Sequence, residues 1–125
     1  MTVLIDSYGF IEYFTNGPKA GKYADAVENA SPNDCITPTV VVYEVYKRIK
    51  SKYGLEKALQ AHAHITLHTR IVPLTVEISL DAAETSLQEG LGMADSIVLA
   101  TARYYNATIV TGDQHMRGKN GVDYI

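Results

Sequence analysis

Short β-branched runs alternate along this chain with longer stretches whose apolar residues recur at helical spacing. Strand-like runs cover Thr2 to Asp6, Cys35 to Thr37, Ile71 to Leu74, Thr108 to Thr111 and Val122 to Ile125. Between the first two, Ser7 to Thr15 carries Phe10, Tyr13 and Phe14 at helical spacing, and Asn16-Gly17-Pro18 stops it. A second helix is predicted over Lys19 to Ala30, closed by Ser31-Pro32-Asn33. Pro38 suits the first turn of the next helix, having no N–H to lose there. That helix runs from about Thr39 to Tyr53, with Val41, Val45 and Ile49 as its apolar stripe, and Gly54 ends it. Leu55 to Leu67 follows as another. Val76 to Glu89 places Ile78, Ala82, Ala83 and Leu87 on one face before Gly90 and Gly92, and Asp95 to Tyr105 is Ala-rich and helical.

Strands alternating with helices predict an α/β fold: a single domain spanning residues 1–125, with a central, mostly parallel β-sheet flanked by helices on both faces through right-handed crossovers. A length of 125 residues is enough for one hydrophobic core. With 46% hydrophobic and 20% charged residues, no segment has the composition of a disordered one.

Four carboxylates stand out against this pattern. Asp6 ends Val3-Leu4-Ile5 and Asp113 follows Ile109-Val110-Thr111-Gly112, so both emerge from predicted buried strands. In a parallel sheet they project from the same edge, where α/β folds place their ligands. Glu44 lies inside the helix beside the Val41 and Val45 stripe, and Asp95 opens the Ala-rich helix. Singly, each has an ordinary explanation. Asp6 or Asp95 serves as a helix N-cap, Glu44 pairs with Arg48 one turn on, and Asp113 starts a turn. Gathered together, like charges repel, and a divalent cation gives the reason to gather them. An oxygen-only ligand set suits Mg²⁺ or Mn²⁺ and not zinc. His62, His64 and His68 share one helical segment, but His62 and His64 face different sides, and the segment reads as a surface helix; His115, close to Asp113, is assigned no catalytic part.

A net charge of −3 argues against a protein that grips nucleic acid by bulk electrostatics. The positive charge is nevertheless clustered, since Lys47, Arg48, Lys50, Lys52 and Lys57 supply 5 of the 11 basic residues just after Glu44. Read as a solvated helix face they do nothing; read as a docking strip, Lys47, Arg48 and Lys50 contact a phosphate backbone. Cys35 has no second cysteine to pair with and reads as a small core residue. The N-terminus lacks a signal-peptide pattern and no apolar run approaches the ~20 residues that span a bilayer, so a cytoplasmic protein without a membrane is expected.

In order and spacing the four acidic segments resemble the PIN domains of VapC toxins from prokaryotic toxin–antitoxin pairs, over essentially the whole chain. Leu4-Ile5-Asp6-Ser7 matches the family's opening strand, with Tyr8 where a small hydroxyl residue is usual. Glu44 sits at its helical glutamate, and Leu91 to Ala102 resembles its most recognisable segment. Ile109-Val110-Thr111-Gly112-Asp113 matches the closing Thr-x-Asp signature, with Met116 replacing the usual Phe. The resemblance implies a metal-dependent endoribonuclease in which Asp6, Glu44, Asp95 and Asp113 hold one or two Mg²⁺ or Mn²⁺ ions and act on an RNA substrate. It implies as partners a small antitoxin protein and a second copy in a homodimer. Ser7 and Thr111 are expected to hydrogen-bond the aspartates. Two alternatives stay open: a non-catalytic PIN-like module binding RNA or protein, and a PIN ribonuclease of general RNA processing without an antitoxin. A response-regulator fold fits poorly, because Asp6 is followed by Ser7 and the third strand ends in Leu74-Thr75. Tyr8, Phe10, Tyr13, Phe14, Tyr104 and Tyr105 are the aromatic residues offered for a dimer contact or an antitoxin groove.

Overall fold

The computed structural model describes residues 1–125. Five strands, β1 (Thr2–Ile5), β2 (Cys35–Pro38), β3 (Arg70–Val72), β4 (Ala107–Thr111) and β5 (Val122–Tyr124), pair in the order β3-β2-β1-β4-β5. Every pairing is parallel, with Val3 opposite Cys35 and Ile5 opposite Val110. Six helices flank the sheet: α1 (Ser7–Phe14), α2 (Ala20–Glu28), α3 (Thr39–Tyr53), α4 (Leu55–His68), α5 (Val76–Glu89) and α6 (Met93–Tyr104). The fold is the α/β sandwich that the alternating pattern predicts.

Burial follows from strand position. Leu4 and Ile5 of β1, all of β2, and Ala107 and Ile109 of β4 are buried, whereas both edge strands are only three residues long. Short edges limit pairing with another chain. Helix α3 buries Val41, Val45 and Ile49 as its spacing predicts and ends at Gly54, whose φ of 93° favours glycine. Helix α1 passes so close to α2 that a Cβ on Gly9 would lie 2.5 Å from the Tyr23 ring. No helix is long and apolar enough to cross a membrane.

Several boundaries differ from the sequence pattern. The second helix is trimmed to Ala20–Glu28, and α6 begins at Met93, two residues earlier than expected. Pro38 closes β2 with extended backbone (φ −63°, ψ 147°) instead of opening α3, because its fixed φ suits either conformation. On α5 the buried stripe is Ile78, Ala82 and Thr85, while Ala83 is exposed and Leu87 is 82% exposed. A helix advances about 100° per residue, so 78, 82 and 85 share a line that 87 leaves.

Candidate active site at the sheet's switch point

After β1 the chain moves outward through β2 to β3, then returns to the opposite side of β1 as β4. The carboxyl ends of β1 and β4 therefore flank the point where strand order reverses, the usual crevice for ligands in open α/β sheets. A cleft of about 410 Å³ lies there, lined by Asp6, Glu44, Asp95 and Asp113 together with Ser7, Tyr8, Arg48, Thr111 and Gly112. All four predicted carboxylates thus reach one cavity from four elements distant in sequence.

Asp6 follows the buried Leu4-Ile5 pair and is the N-cap of α1, its Oδ1 accepting from the Gly9 amide at 3.0 Å. Its Oδ2 accepts from the Thr111 hydroxyl of the neighbouring strand. The capping explanation and the site position therefore both hold for the same residue. Burial pushes the Asp6 carboxyl from the ordinary 3.8 up to about 6, against the lowering effect of those two hydrogen bonds and with smaller help from Asp113 and Asp95. Repulsion among the gathered acids is thus the lesser cause. Desolvation leads because Asp6 emerges from the middle strand of the sheet.

Asp113 starts the 3-10 turn Gln114–Met116, its Oδ1 accepting from the His115 amide at 2.9 Å and lying 3.0 Å from the His115 ring Nδ1. Its Oδ2 accepts no hydrogen bond from the protein and is left free for the cleft. Asp95 lies in the first turn of α6, whose N-cap is Gly92; it is a helical residue and not the cap. Its carboxyl is raised by burial and then by the charge of Asp113, and lowered somewhat by His115. Ligand atoms of Asp95, Asp113 and His115 lie within 4.8 Å of one another. His115, given no part from the sequence, is thus brought into this group. Its spacing of two residues from Asp113 was visible, but only the 3-10 turn bends the ring back onto the carboxylate.

Glu44 lines the same cleft from α3 but stands outside that tight group. It forms no ion pair with Arg48; both side chains face the cavity instead. Of the three basic residues considered for the RNA backbone, Arg48 alone lines the cleft. Lys47 borders an adjoining groove with Tyr43, and Lys50 lies farther along α3 beside Tyr46. Thr111 bonds Asp6, whereas Ser7 lines the cavity without bonding any aspartate.

The donor set fits a hard divalent cation. Half-buried Asp95 and Glu44 accept no hydrogen bond from the protein, so their oxygens are unspent, and oxygen ligands dominate the cleft. The His115 imidazole beside them departs from the oxygen-only set expected from the sequence and suits Mn²⁺ better than the harder Mg²⁺.

Elsewhere, His62 and His68 are exposed on α4 and His64 is half-buried with its Nε2 3.0 Å from the Val27 carbonyl; the His64 and His68 rings lie side by side at 4.4 Å between centroids, and His62 does not join them. Cys35 is buried in β2. Phe10 is fully buried, and Tyr13, Phe14 and Tyr105 pack against the core; only Tyr8 and Tyr104 of the aromatic set are exposed. Phe10 therefore belongs to this chain's own core, and Tyr13, Phe14 and Tyr105 pack against it while staying partly exposed.

Solved structures share this architecture. A toxin–antitoxin complex from Klebsiella pneumoniae has a chain that is 20% identical, with a TM-score of 0.78 over 98% of this chain and 96% of that one. VapBC2 from Rickettsia felis, bound to a DNA fragment from its promoter, matches at 16% identity and TM-score 0.76 over 100% and 98% of the two chains. VapC20 from Mycobacterium tuberculosis, described as a Sarcin-Ricin loop cleaving toxin, matches at 15% and 0.75 over 86% and 85%. At these identities the likeness is one of fold. No curated protein matches the sequence. The family model for the PIN domain matches residues 3–121, a stretch that carries all four carboxylates, and the chain belongs to the PIN domain family.

Proposed function

We propose that this protein is a divalent-metal-dependent endoribonuclease and the toxin of a VapBC-type toxin–antitoxin pair. The observation that carries the reading is the convergence of Asp6, Glu44, Asp95 and Asp113 on one cleft at the switch point of a PIN fold. The antitoxin partner is supported by the toxin–antitoxin complexes among the structural neighbours, and RNA by the neighbour named for cleaving the Sarcin-Ricin loop. A homodimer and a cytoplasmic location belong to the same proposal.

Asp6, Glu44, Asp95 and Asp113 would hold Mg²⁺ or Mn²⁺. When bound there, the cation supplies Lewis acidity toward the phosphate and generates a nucleophile from water near neutral pH. The protein's own contribution is preorganisation. Thr111 and the Gly9 amide fix both oxygens of Asp6, and His115 fixes one oxygen of Asp113 while the other stays free. Asp95 and Glu44, without protein donors, are the carboxylates free to orient a water. Arg48 places the cleft's one guanidinium where it can meet a phosphate otherwise repelled by four acids. Lys47 and Lys50 extend that charge along α3 for RNA leaving the cleft.

The test is cleavage of labelled single-stranded RNA by purified protein with Mg²⁺ or Mn²⁺, with EDTA, and with Asp95→Asn. Cleavage that needs the ion and is lost in the variant supports the reading. Metal binding without any cleavage points instead to a non-catalytic module.

A further inference from the structure

One wall of the cleft breaks two local rules at once. Tyr8, in the first turn of α1, is 37% exposed and lines the cavity beside Asp6. An aromatic ring held at the rim of an acidic, polar cleft does not serve the core. It is nonetheless fixed: its edge meets Tyr23 at a centroid separation of 6.3 Å, and Tyr23 is fully buried with its hydroxyl accepting from the Gly112 amide at 2.7 Å. Gly112 itself lines the cleft.

Lys19 is the second anomaly. It is the N-cap of α2, a position that prefers Ser, Thr, Asp or Asn, and it makes no side-chain capping bond. A cation there also faces the positive end of the helix dipole. Its backbone is held by an uncommon device: the buried Glu12 carboxylate accepts from the Lys19 amide at 2.9 Å, and Glu12 packs so tightly on Gly17 that a Cβ there would overlap it. The result is an ammonium 6.0 Å from the Tyr8 ring centroid and 3.3 Å from where a Cβ on Gly112 would stand, with no carboxylate partner in any salt bridge. Local rules broken without a packing gain point to a functional constraint.

We propose that Tyr8 and Lys19 form a subsite for the nucleotide next to the scissile phosphate, the Tyr8 ring stacking on its base and the Lys19 ammonium meeting its backbone phosphate. Stacking on an aromatic ring is open to any base, and one ammonium neutralises one phosphate, so the subsite takes single-stranded RNA with little sequence preference. Tyr8 lines the same cleft as Arg48, and Lys19 lies beside Tyr8 and the cleft-lining Gly112, so the pair adds a cation at the Gly112 side to the one Arg48 supplies. The inference rests on the ribonuclease reading of the same cleft.

The experiment measures binding apart from catalysis. A short, unstructured, fluorescein-labelled RNA of mixed sequence is titrated against the Asp95→Asn protein in Mn²⁺, and anisotropy gives Kd over a series of salt concentrations. Adding Tyr8→Ala is expected to raise Kd by about 5- to 150-fold, the range for losing one stacked base. Tyr8→Leu, which keeps apolar bulk against Tyr23, should lose as much, and Tyr8→Phe should bind as the parent does. Lys19→Ala should lower the slope of log Kd against log salt by about 0.7, the share of one phosphate on a single strand, and Lys19→Arg should restore it. Unchanged Kd for both Tyr8→Ala and Tyr8→Leu, or an unchanged salt slope for Lys19→Ala, overturns the subsite while leaving the ribonuclease reading intact. If wild-type protein cleaves no RNA and the Asp95→Asn parent binds none, the ribonuclease reading fails and the subsite falls with it.

Discussion

Replacing Asp6 by Asn should stabilise the metal-free protein at neutral pH even as it removes a ligand of the proposed site. The carboxyl rises from 3.8 to about 6 on folding, chiefly because it is buried. The folded state therefore binds more protons than the unfolded one between those values. Asp6 contributes most favourably below the lower value, and that contribution is lost as pH rises through about 6. At about 1.36 kcal/mol per tenfold change in proton affinity, the ionised carboxylate costs the fold about 3 kcal/mol at pH 8. Asn removes that cost and remains a good N-cap for the Gly9 amide. It exchanges the charged bond from Thr111 for a neutral one, which offsets part of the gain, so a net stabilisation of about 1–3 kcal/mol is expected. The assay is urea unfolding of wild type and Asp6→Asn in EDTA from about pH 4 to 8, a range that spans both protonation states. The two proteins should agree near the acidic end and diverge in favour of Asn as pH rises. Asp95, raised in the same direction, is present in both, so its burial contribution cancels and only its repulsion with Asp6, a minor cause of the Asp6 shift, is lost in the variant. Parallel pH profiles, or an Asn variant less stable than wild type at the alkaline end, would refute the desolvation argument.

Other outcomes follow from the same geometry. Mn²⁺ at about 100 times its Kd should stabilise the wild type by about 2.7 kcal/mol at neutral pH, and Asp113→Asn should shrink that shift in thermal melting. Asp6→Asn, Asp95→Asn and Asp113→Asn should each slow RNA cleavage by about 100-fold or more, equal to about 2.7 kcal/mol of barrier, and EDTA should stop it. Replacing Lys47, Arg48 and Lys50 together should raise KM and flatten its salt dependence with kcat little changed; an unaltered salt dependence returns the strip to plain surface. Gly9→Ala should destabilise the fold by about 1–3 kcal/mol in urea melts, because the added methyl meets the buried Tyr23 ring.

The sequence by itself determined the alternation of strands and helices, and with it the parallel sheet. Buried parallel strands must be short apolar runs, and their crossovers must be amphipathic helices, so both leave periodic traces. Two of the acids were legible for the same reason: Asp6 and Asp113 stand at strand ends, and strand ends in a parallel sheet share an edge. The α3 stripe of Val41, Val45 and Ile49 was equally plain. The α5 stripe was not, since Leu87 is as apolar as Ile78 yet faces outward. Burial depends on which line of the helix meets α6, and hydrophobicity alone does not choose it.

Only the tertiary structure decided how the acids relate to one another. It joined Asp95 and Asp113 with His115 in one tight group, left Glu44 outside that group in the same cleft, and separated Arg48 in the cleft from Lys47 and Lys50 outside it. It made burial, more than repulsion, the cause of the raised Asp6 carboxyl. It also brought Lys19 across from α2 to Tyr8, a contact that no spacing along the chain foretells. Periodicity reports which side of an element faces the core, because burial acts on each element in turn. Distances between side chains on different elements depend on how those elements pack, and that is a property of the whole fold.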